Sequence, residues 1–198
     1  MDGELTLPRL KQNRPVPQGL EAGLESMAGV WRRWRLRRRD WRGEAEQVRA
    51  YHAQKDRVLQ RELSELIVQK RQAWQSARGD RLMAKREALA AIAKVAEFEL
   101  GLVPHPEQLM GTLALEEGCL VEMATGEGKT LTLAMAAVLT AWKGRTCHVL
   151  TANDYLAVRD AKTLGKFYRR CGVRVSSVTG GDQPEKRQQD YAAQVVYT

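Results

Sequence analysis

Cysteine is scarce in this sequence: Cys119, Cys147 and Cys171 are the only three, and no two of them form a C-x-x-C pair. That excludes a disulfide framework and a cysteine-built zinc site. Cys119 and Cys147 fall in or beside apolar runs that read as strands, so both are expected to be buried, reduced thiols of a cytosolic protein. Histidine is equally sparse. His52, His105 and His148 have no metal-ligand spacing, and His148 alternates within a strand as a packing residue does. No apolar run reaches the ~18 residues needed to span a bilayer, and the N-terminus lacks the apolar stretch of a secretory leader. The expected location is the cytoplasm or its membrane face. No internal repeat is present.

Acid is nearly absent from one short block. Between Trp31 and Arg42 stand seven arginines (Arg32, Arg33, Arg35, Arg37, Arg38, Arg39 and Arg42) against one acid, Asp40, so this block carries +6 of the net +8. The rest of the chain is close to balanced, which argues against a nucleic-acid surface on the core. Residues 20–42 can form an amphipathic helix. Leu20, Leu24, Met27, Trp31 and Trp34 follow a 4-3-4-3 spacing and Trp41 returns near that face, while the arginines crowd the other side, with Arg38 falling on the apolar stripe. Such a helix suits an anionic membrane surface or a partner groove. Its interleaved tryptophan and arginine equally suit nucleic acid, and its tryptophans can instead pack it on its own domain.

Ahead of that helix, residues 1–19 are rich in proline and glycine (Pro8, Pro15, Pro17, Gly19) and read as flexible. Behind it, residues 44–78 read as polar helix with a break at Gly79-Asp80. Residues 81–99 read as an alanine-rich helix whose Leu82, Leu89, Ile92, Val95, Ala96 and Phe98 make an apolar side. Gly101, Pro104 and Pro106 end it. From residue 107 strands and helices alternate. The pattern predicts a helix over 107–117, a strand over 119–122, a loop, a helix over 130–142 and a strand over 146–150. A helix capped by Asn153 or Asp154 and running to about Cys171 follows, then a strand over 173–178, a Gly180-Gly181 turn, a short helix over 184–193 and a strand over 194–198. Successive βα units predict an α/β fold, a parallel sheet covered by helices, preceded by an α-helical extension. The expected domains are 1–80, a basic helical N-terminal extension, and 81–198, the first part of a nucleotide-binding domain. Thr198 falls inside the last strand, where domains rarely stop, so the chain is expected to be part of a longer protein.

The loop between the first strand and the next helix is Met123-Ala124-Thr125-Gly126-Glu127-Gly128-Lys129-Thr130. Gly126 and Gly128 let the backbone turn tightly and bring its N–H groups close to a polyphosphate. The N-terminus of the following helix adds a favourable dipole and free donors. Lys129 supplies a cation for the β- and γ-phosphates, and the Thr130 hydroxyl is placed to ligate Mg2+. The ligand so named is a nucleoside triphosphate. Met123 stands where the full G-x-x-x-x-G-K-[ST] pattern has its first glycine. The shorter form here is that of superfamily-2 helicase-like motors, within phosphate-loop NTPases.

Four segments resemble the SecA family, the ATPase motors that drive preproteins through the bacterial translocation channel. Glu122 to Thr130 resembles the family's phosphate loop, with Ala124 where a basic residue is usual. Thr151-Ala152-Asn153-Asp154-Tyr155-Leu156-Ala157-Val158-Arg159-Asp160-Ala161 is similar to its next motif, where DEAD-box helicases carry a Pro-Thr-Arg-Glu-Leu sequence. Glu107-Gln108-Leu109-Met110-Gly111 resembles its adenine-recognising glutamine motif, although Val103-Pro104-His105-Pro106 replaces the usual Arg-x-Phe-Asp before it. The stretch from Lys186-Arg187 through Tyr191-Ala192-Ala193 to Val196-Tyr197-Thr198 looks like the approach to the family's next block. Residues 87–198 carry the resemblance; the N-terminal third shares only a helical, basic character.

The resemblance implies a set of roles. Gln108 bonds the adenine edge through an amide that donates and accepts at once, with Leu109 and Met110 beside the base. Thr125, Gly126, Glu127, Gly128, Lys129 and Thr130 hold the phosphates of ATP, Thr130 holds Mg2+, and Lys129 and Thr130 are the catalytic members. Asn153, Asp154, Tyr155 and Arg159 couple nucleotide state to movement of the channel or substrate. Read from the residues alone, Asp154, Tyr155 and Arg159 are equally a helix cap, a core aromatic and an exposed salt bridge. The implied activity is ATP hydrolysis coupled to protein translocation. The implied partners are a SecYEG-type channel, preproteins and, through residues 20–42, an anionic membrane surface, with a location in the cytoplasm and peripheral on the cytoplasmic face of the inner membrane. The family's acidic Mg2+-holding motif and second motor domain lie downstream of the matched region, so this chain alone is expected to turn over little or no ATP. A superfamily-2 nucleic-acid helicase is the alternative; the stretch Asn153 to Ala157 argues against it. A non-enzymatic membrane- or partner-binding module also fits residues 1–42.

Overall fold

Helix α3, Arg81–Leu100, is buried on every side along its middle: Ala88, Leu89, Ala90, Ala91, Ile92, Ala93, Val95 and Ala96 are all buried, and so is Lys94, the one charged residue among them. That is the pattern of a helix enclosed by others rather than lying on a surface. The computed structural model describes residues 39–53, 60–77 and 81–198, together with Gly29 and Leu36, and one compact unit runs from Trp41 to Thr198. Most of the amphipathic helix expected over residues 20–42, and the break expected at Gly79-Asp80, lie outside the described residues. Around α3 pack α1 (Trp41–Ala53), α2 (Gln60–Ser76), α5 (Lys129–Trp142) and α7 (Gly165–Arg170), while α4 (Pro106–Glu116) packs on α1 and α5. The alanines of α3 present little bulk, so neighbouring helices can approach closely.

Three short parallel strands form the sheet: β1 (Cys147–Val149), β2 (Val175–Ser177) and β3 (Val195–Tyr197), in the order β1-β3-β2, with Val195 opposite both Cys147 and Val175. All three residues of β3 are buried, as expected of a central strand covered on both faces. Helix α5 packs on β1 and β3, α6 (Asp154–Thr163) packs on β2 and β3, and the polar α8 (Pro184–Tyr191) lies beside β2 with no buried residue. The parallel α/β pattern expected from residue 107 onward is therefore present, although helices dominate it.

The structure corrects several details. The strand expected over 119–122 does not form: the segment belongs to no ladder and Leu120 is fully exposed. An apolar run is half of a strand; the other half is a neighbour to take its N–H and C=O groups, and none of the three strands lies beside it. The helix expected to run to about Cys171 is two helices, α6 and α7, joined at Leu164, where Gly165 supplies a weak helix former. Cys119 and Cys147 are only partly buried and Cys171 is the enclosed thiol; all three are free. Phe98 stands out of the core at 47% exposure, under the Arg170 guanidinium. His148 is exposed and meets the Tyr191 ring at 5.8 Å.

Buried polar atoms join the layers. Trp74 of α2 donates its Nε1–H to the Leu139 carbonyl at 3.1 Å, and Trp142 of α5 donates to the Cys171 carbonyl at 2.9 Å; both rings are fully buried. Each contributes its large apolar area without leaving a polar atom unpaired. Tyr168 of α7 and Tyr197 of β3 meet hydroxyl to hydroxyl at 2.8 Å. Burial pushes the Tyr197 hydroxyl up to about 12 and Tyr168 well above its ordinary range. An unfolded tyrosine ionises near ~10. The pair's contribution to stability is thus fully present below that pH and lost as pH rises through about 12. The double variant Tyr168→Phe/Tyr197→Phe is expected to flatten the fall of melting temperature across that window. An unchanged slope would assign the alkaline loss to other groups.

Candidate functional site

Residues 125–128 turn the chain into α5, and two of them hold left-handed backbone: φ is 89° at Gly126 and 80° at Gly128. Gly128 is the N-cap of α5, and a Cβ built there would lie 2.1 Å from Gln108 Nε2. Glycine is required at that position twice over, for its backbone and for the absence of a side chain. Thr125, Gly126 and Glu127 are exposed, as are Lys129 and Thr130, the first two residues of α5. The backbone N–H groups of Gly128, Lys129 and Thr130 have no backbone partner among the described residues, and the α5 dipole places partial positive charge at the same end. Lys129 Nζ donates to the Ala124 carbonyl at 2.8 Å, so the ammonium is folded back onto the loop.

Gln108 is held against this loop. It is the third residue of α4, follows Pro106 at the helix start, and is 8% exposed. Its Oε1 accepts the His105 N–H at 3.1 Å and its Nε2 donates to the Glu127 carbonyl at 3.0 Å. These bonds fix the orientation of the amide and leave it one N–H and one oxygen lone pair. A glutamine three residues into a helix that reaches back to the cap N–H is half of a capping box. Beside the loop lies a cavity of about 380 Å3, whose lining includes Trp41, Met110, Val121, Met123, Ala124 and Glu127. Of the two residues expected beside a base, Met110 lines this cavity, while Leu109 is buried in the core.

The other predicted residues lie apart. Asn153 caps α6, its Oδ1 accepting the Leu156 N–H at 2.9 Å. Asp154 Oδ2 accepts the Gly180 N–H at 2.9 Å, tying α6 to the loop after β2. Arg187 of α8 donates to the Gly180 carbonyl, so that loop is held from two sides. Within it, the Lys186 ammonium and the Thr179 backbone N–H hold the Asp182 carboxyl down at about 2. Tyr155 is 72% exposed and is not a core aromatic. Arg159 pairs with its neighbour Asp160 at 2.6 Å. No hydrogen bond or ion pair among the described residues joins 153–159 to 123–130.

Sequence reading missed Thr112 and Thr132 near the loop, because their spacing carries no motif, and it placed Trp41 on the apolar face of the 20–42 helix rather than at the loop-side cavity. Among the described residues no cluster of histidine, cysteine, aspartate and glutamate is arranged to hold a metal ion, and no helix is long and apolar enough to cross a membrane.

The chain is similar to known proteins. A family model described as the SecA DEAD-like domain matches residues 28–198. Protein translocase subunit SecA 2 of Magnetococcus marinus is 44% identical over 202 residues, covering 98% of this chain and 29% of that protein. Protein translocase subunit SecA 2 of Chlorobium chlorochromatii is 54% identical over 110 residues, covering 56% of this chain and 17% of that protein. Protein translocase subunit SecA of a Synechocystis species is 35% identical over 158 residues, covering 77% and 17%. The chain thus spans less than a third of the length of these relatives.

Proposed function

The chain belongs to the SecA family, and from that premise we propose that it supplies the ATP-binding part of a motor that couples ATP hydrolysis to protein translocation across the cytoplasmic membrane. The observation that carries this reading is the joint geometry of Gln108 and the 125–130 loop. One amide, already anchored to the Glu127 carbonyl, leaves a donor and an acceptor for the adenine edge. The loop beside it offers N–H groups and an ammonium to phosphates.

The parts divide the work. The backbone of Gly126 to Thr130 binds the β- and γ-phosphates, and Lys129 exchanges the Ala124 carbonyl for a phosphate oxygen when nucleotide arrives. The exposed Thr130 hydroxyl fits Mg2+, which prefers few protein ligands alongside phosphate and water oxygens. When bound, the ion would be held by the Thr130 hydroxyl and would supply positive charge to offset that of the phosphates. Asp154, by gripping the Gly180 loop, gives Asn153, Tyr155 and Arg159 a rigid base from which to pass nucleotide state to partners. Those partners are a SecYEG-type channel and preproteins. The arginine-rich residues 20–42 would hold the protein peripherally on the anionic cytoplasmic face of the inner membrane.

The test is a thermal shift with Mg-ADP and Mg-ATP, comparing the chain with its Lys129→Ala variant. Binding at a hundredfold excess over Kd adds ~2.7 kcal/mol, so the unmodified chain is expected to melt several degrees higher with nucleotide and the variant to melt unchanged. A folded chain that shows no shift at millimolar Mg-ADP would sink the reading.

A further inference from the structure

Helices α4 and α5 cross beside the loop with almost no gap. At Gly111 a Cβ would meet Thr132 Cγ2 at 2.9 Å, with Met123 Sδ at 3.5 Å and Val121 Cγ1 at 3.6 Å behind it. Next to this crossing, Thr112 is 0% exposed and Thr132 is 1% exposed. The Thr112 hydroxyl lies 2.8 Å from the Gln108 carbonyl oxygen and 3.2 Å from the Thr132 carbonyl oxygen, so its one proton is shared between two helices. The Thr132 hydroxyl in turn points to the Gly128 carbonyl at 3.3 Å. Gln108 closes the circuit through its 3.0 Å bond to the Glu127 carbonyl. The bonds therefore form a ring, from Gln108 to the loop, from the loop to Thr132, from Thr132 to Thr112, and back to Gln108.

A buried hydroxyl is unfavourable unless bonded, and valine would fill either position with the same shape. What the hydroxyls add over valine is the bonds they make, and every one of those bonds ends on Gln108, Gly128 or the helix crossing between them. We propose that Thr112 and Thr132 are positioning residues for the nucleotide site: they hold Gln108 in register with Gly128, so that the seats of the base and of the phosphates move as one body. This rests on reading the loop as a nucleotide site and adds to it two residues with no direct contact to nucleotide.

The test is calorimetric binding of Mg-ADP to the whole chain. Thr112→Val is expected to weaken binding about three- to tenfold, the worth of one hydrogen bond, and Thr112→Ser to restore it. In a Gln108→Ala background the same Thr112→Val change is expected to do almost nothing, because the residue acts through that amide. A merely structural role would lower the melting temperature without changing affinity, or would weaken binding equally with and without the Gln108 side chain; either result overturns the proposal. If the unmodified chain binds no Mg-ADP, the nucleotide reading fails separately, and hydrogen exchange decides the ring. The Leu131 and Thr132 amides, bonded to the Gly128 carbonyl at 3.1 and 3.2 Å, should exchange faster in Thr112→Val than in the unmodified chain. Equal rates would overturn the ring.

Discussion

Replacing Gly128 with alanine is expected to weaken Mg-nucleotide binding about a hundredfold or more while the chain stays folded. Two effects act at one atom. Alanine at a φ of 80° pays the left-handed penalty, ~1–2 kcal/mol. Its Cβ, 2.1 Å from Gln108 Nε2, must also push the amide away. The amide then loses the Glu127 carbonyl and the His105 N–H, ~1 kcal/mol each. Together these amount to a loss of about a hundredfold or more in affinity. Gly126 is the internal control. Its φ is 89°, but nothing lies within 4 Å of a Cβ built there, so Gly126→Ala carries only the backbone penalty and should cost about tenfold. Gly128→Ala/Gln108→Ala separates the two contributions, because it removes the collision and keeps the strain. If it binds no better than Gly128→Ala after allowing for the missing amide, and the two glycine variants are equally weak, the collision is not the cause. Calorimetry for affinity and circular dichroism for the fold supply both readings.

The site was legible where its chemistry is local. Gly126, Gly128, Lys129 and Thr130 lie within five consecutive residues, so spacing alone carries their meaning. The same holds for Asn153, whose cap partner Leu156 is three residues away. Gln108 was legible as a residue but its engagement was not, because its partner Glu127 stands 19 positions downstream on another element. Thr112 and Thr132 were invisible for the same reason, being ordinary threonines in helices until the crossing at Gly111 brings them together. Trp41 reaches the loop-side cavity from α1, far up the chain. The strand expected at 119–122 failed differently: its apolar composition was read correctly, but a ladder depends on what lies alongside, which composition does not encode. Helix α3 departs from its expected pattern in a third way. Its periodicity predicts an apolar stripe through Phe98, whereas neighbouring helices enclose its alanine-rich middle and Phe98 lies beyond the enclosed stretch.

The buried charge of Lys85 is where stability and site meet. Its side chain is 3% exposed, as is that of Glu116, and they pair at 2.8 Å while Glu117 accepts from the same ammonium. Both acids lie at the end of α4, where a cation also complements the helix dipole. Lys85→Met leaves the Glu116 carboxylate buried, with Arg81, at 3.8 Å and largely exposed, as its remaining ion-pair partner within 4 Å among the described residues. Removing one member of a buried pair costs ~3–5 kcal/mol, so the melting temperature is expected to fall by about 10 °C. Adding Glu116→Leu should recover much of that loss, since replacing a whole buried pair with apolar groups is often neutral. A loss that persists in the double variant would mean that the ammonium matters for Glu117 or for packing rather than for Glu116. The consequence reaches the loop because α4 carries Glu116 at one end and Gln108 near the other. Lys85→Met should therefore weaken Mg-ADP binding at temperatures where the chain is still folded, and the double variant should regain it. Affinity that stays constant while the melting temperature falls would place the far end of α4 outside the mechanics of the site.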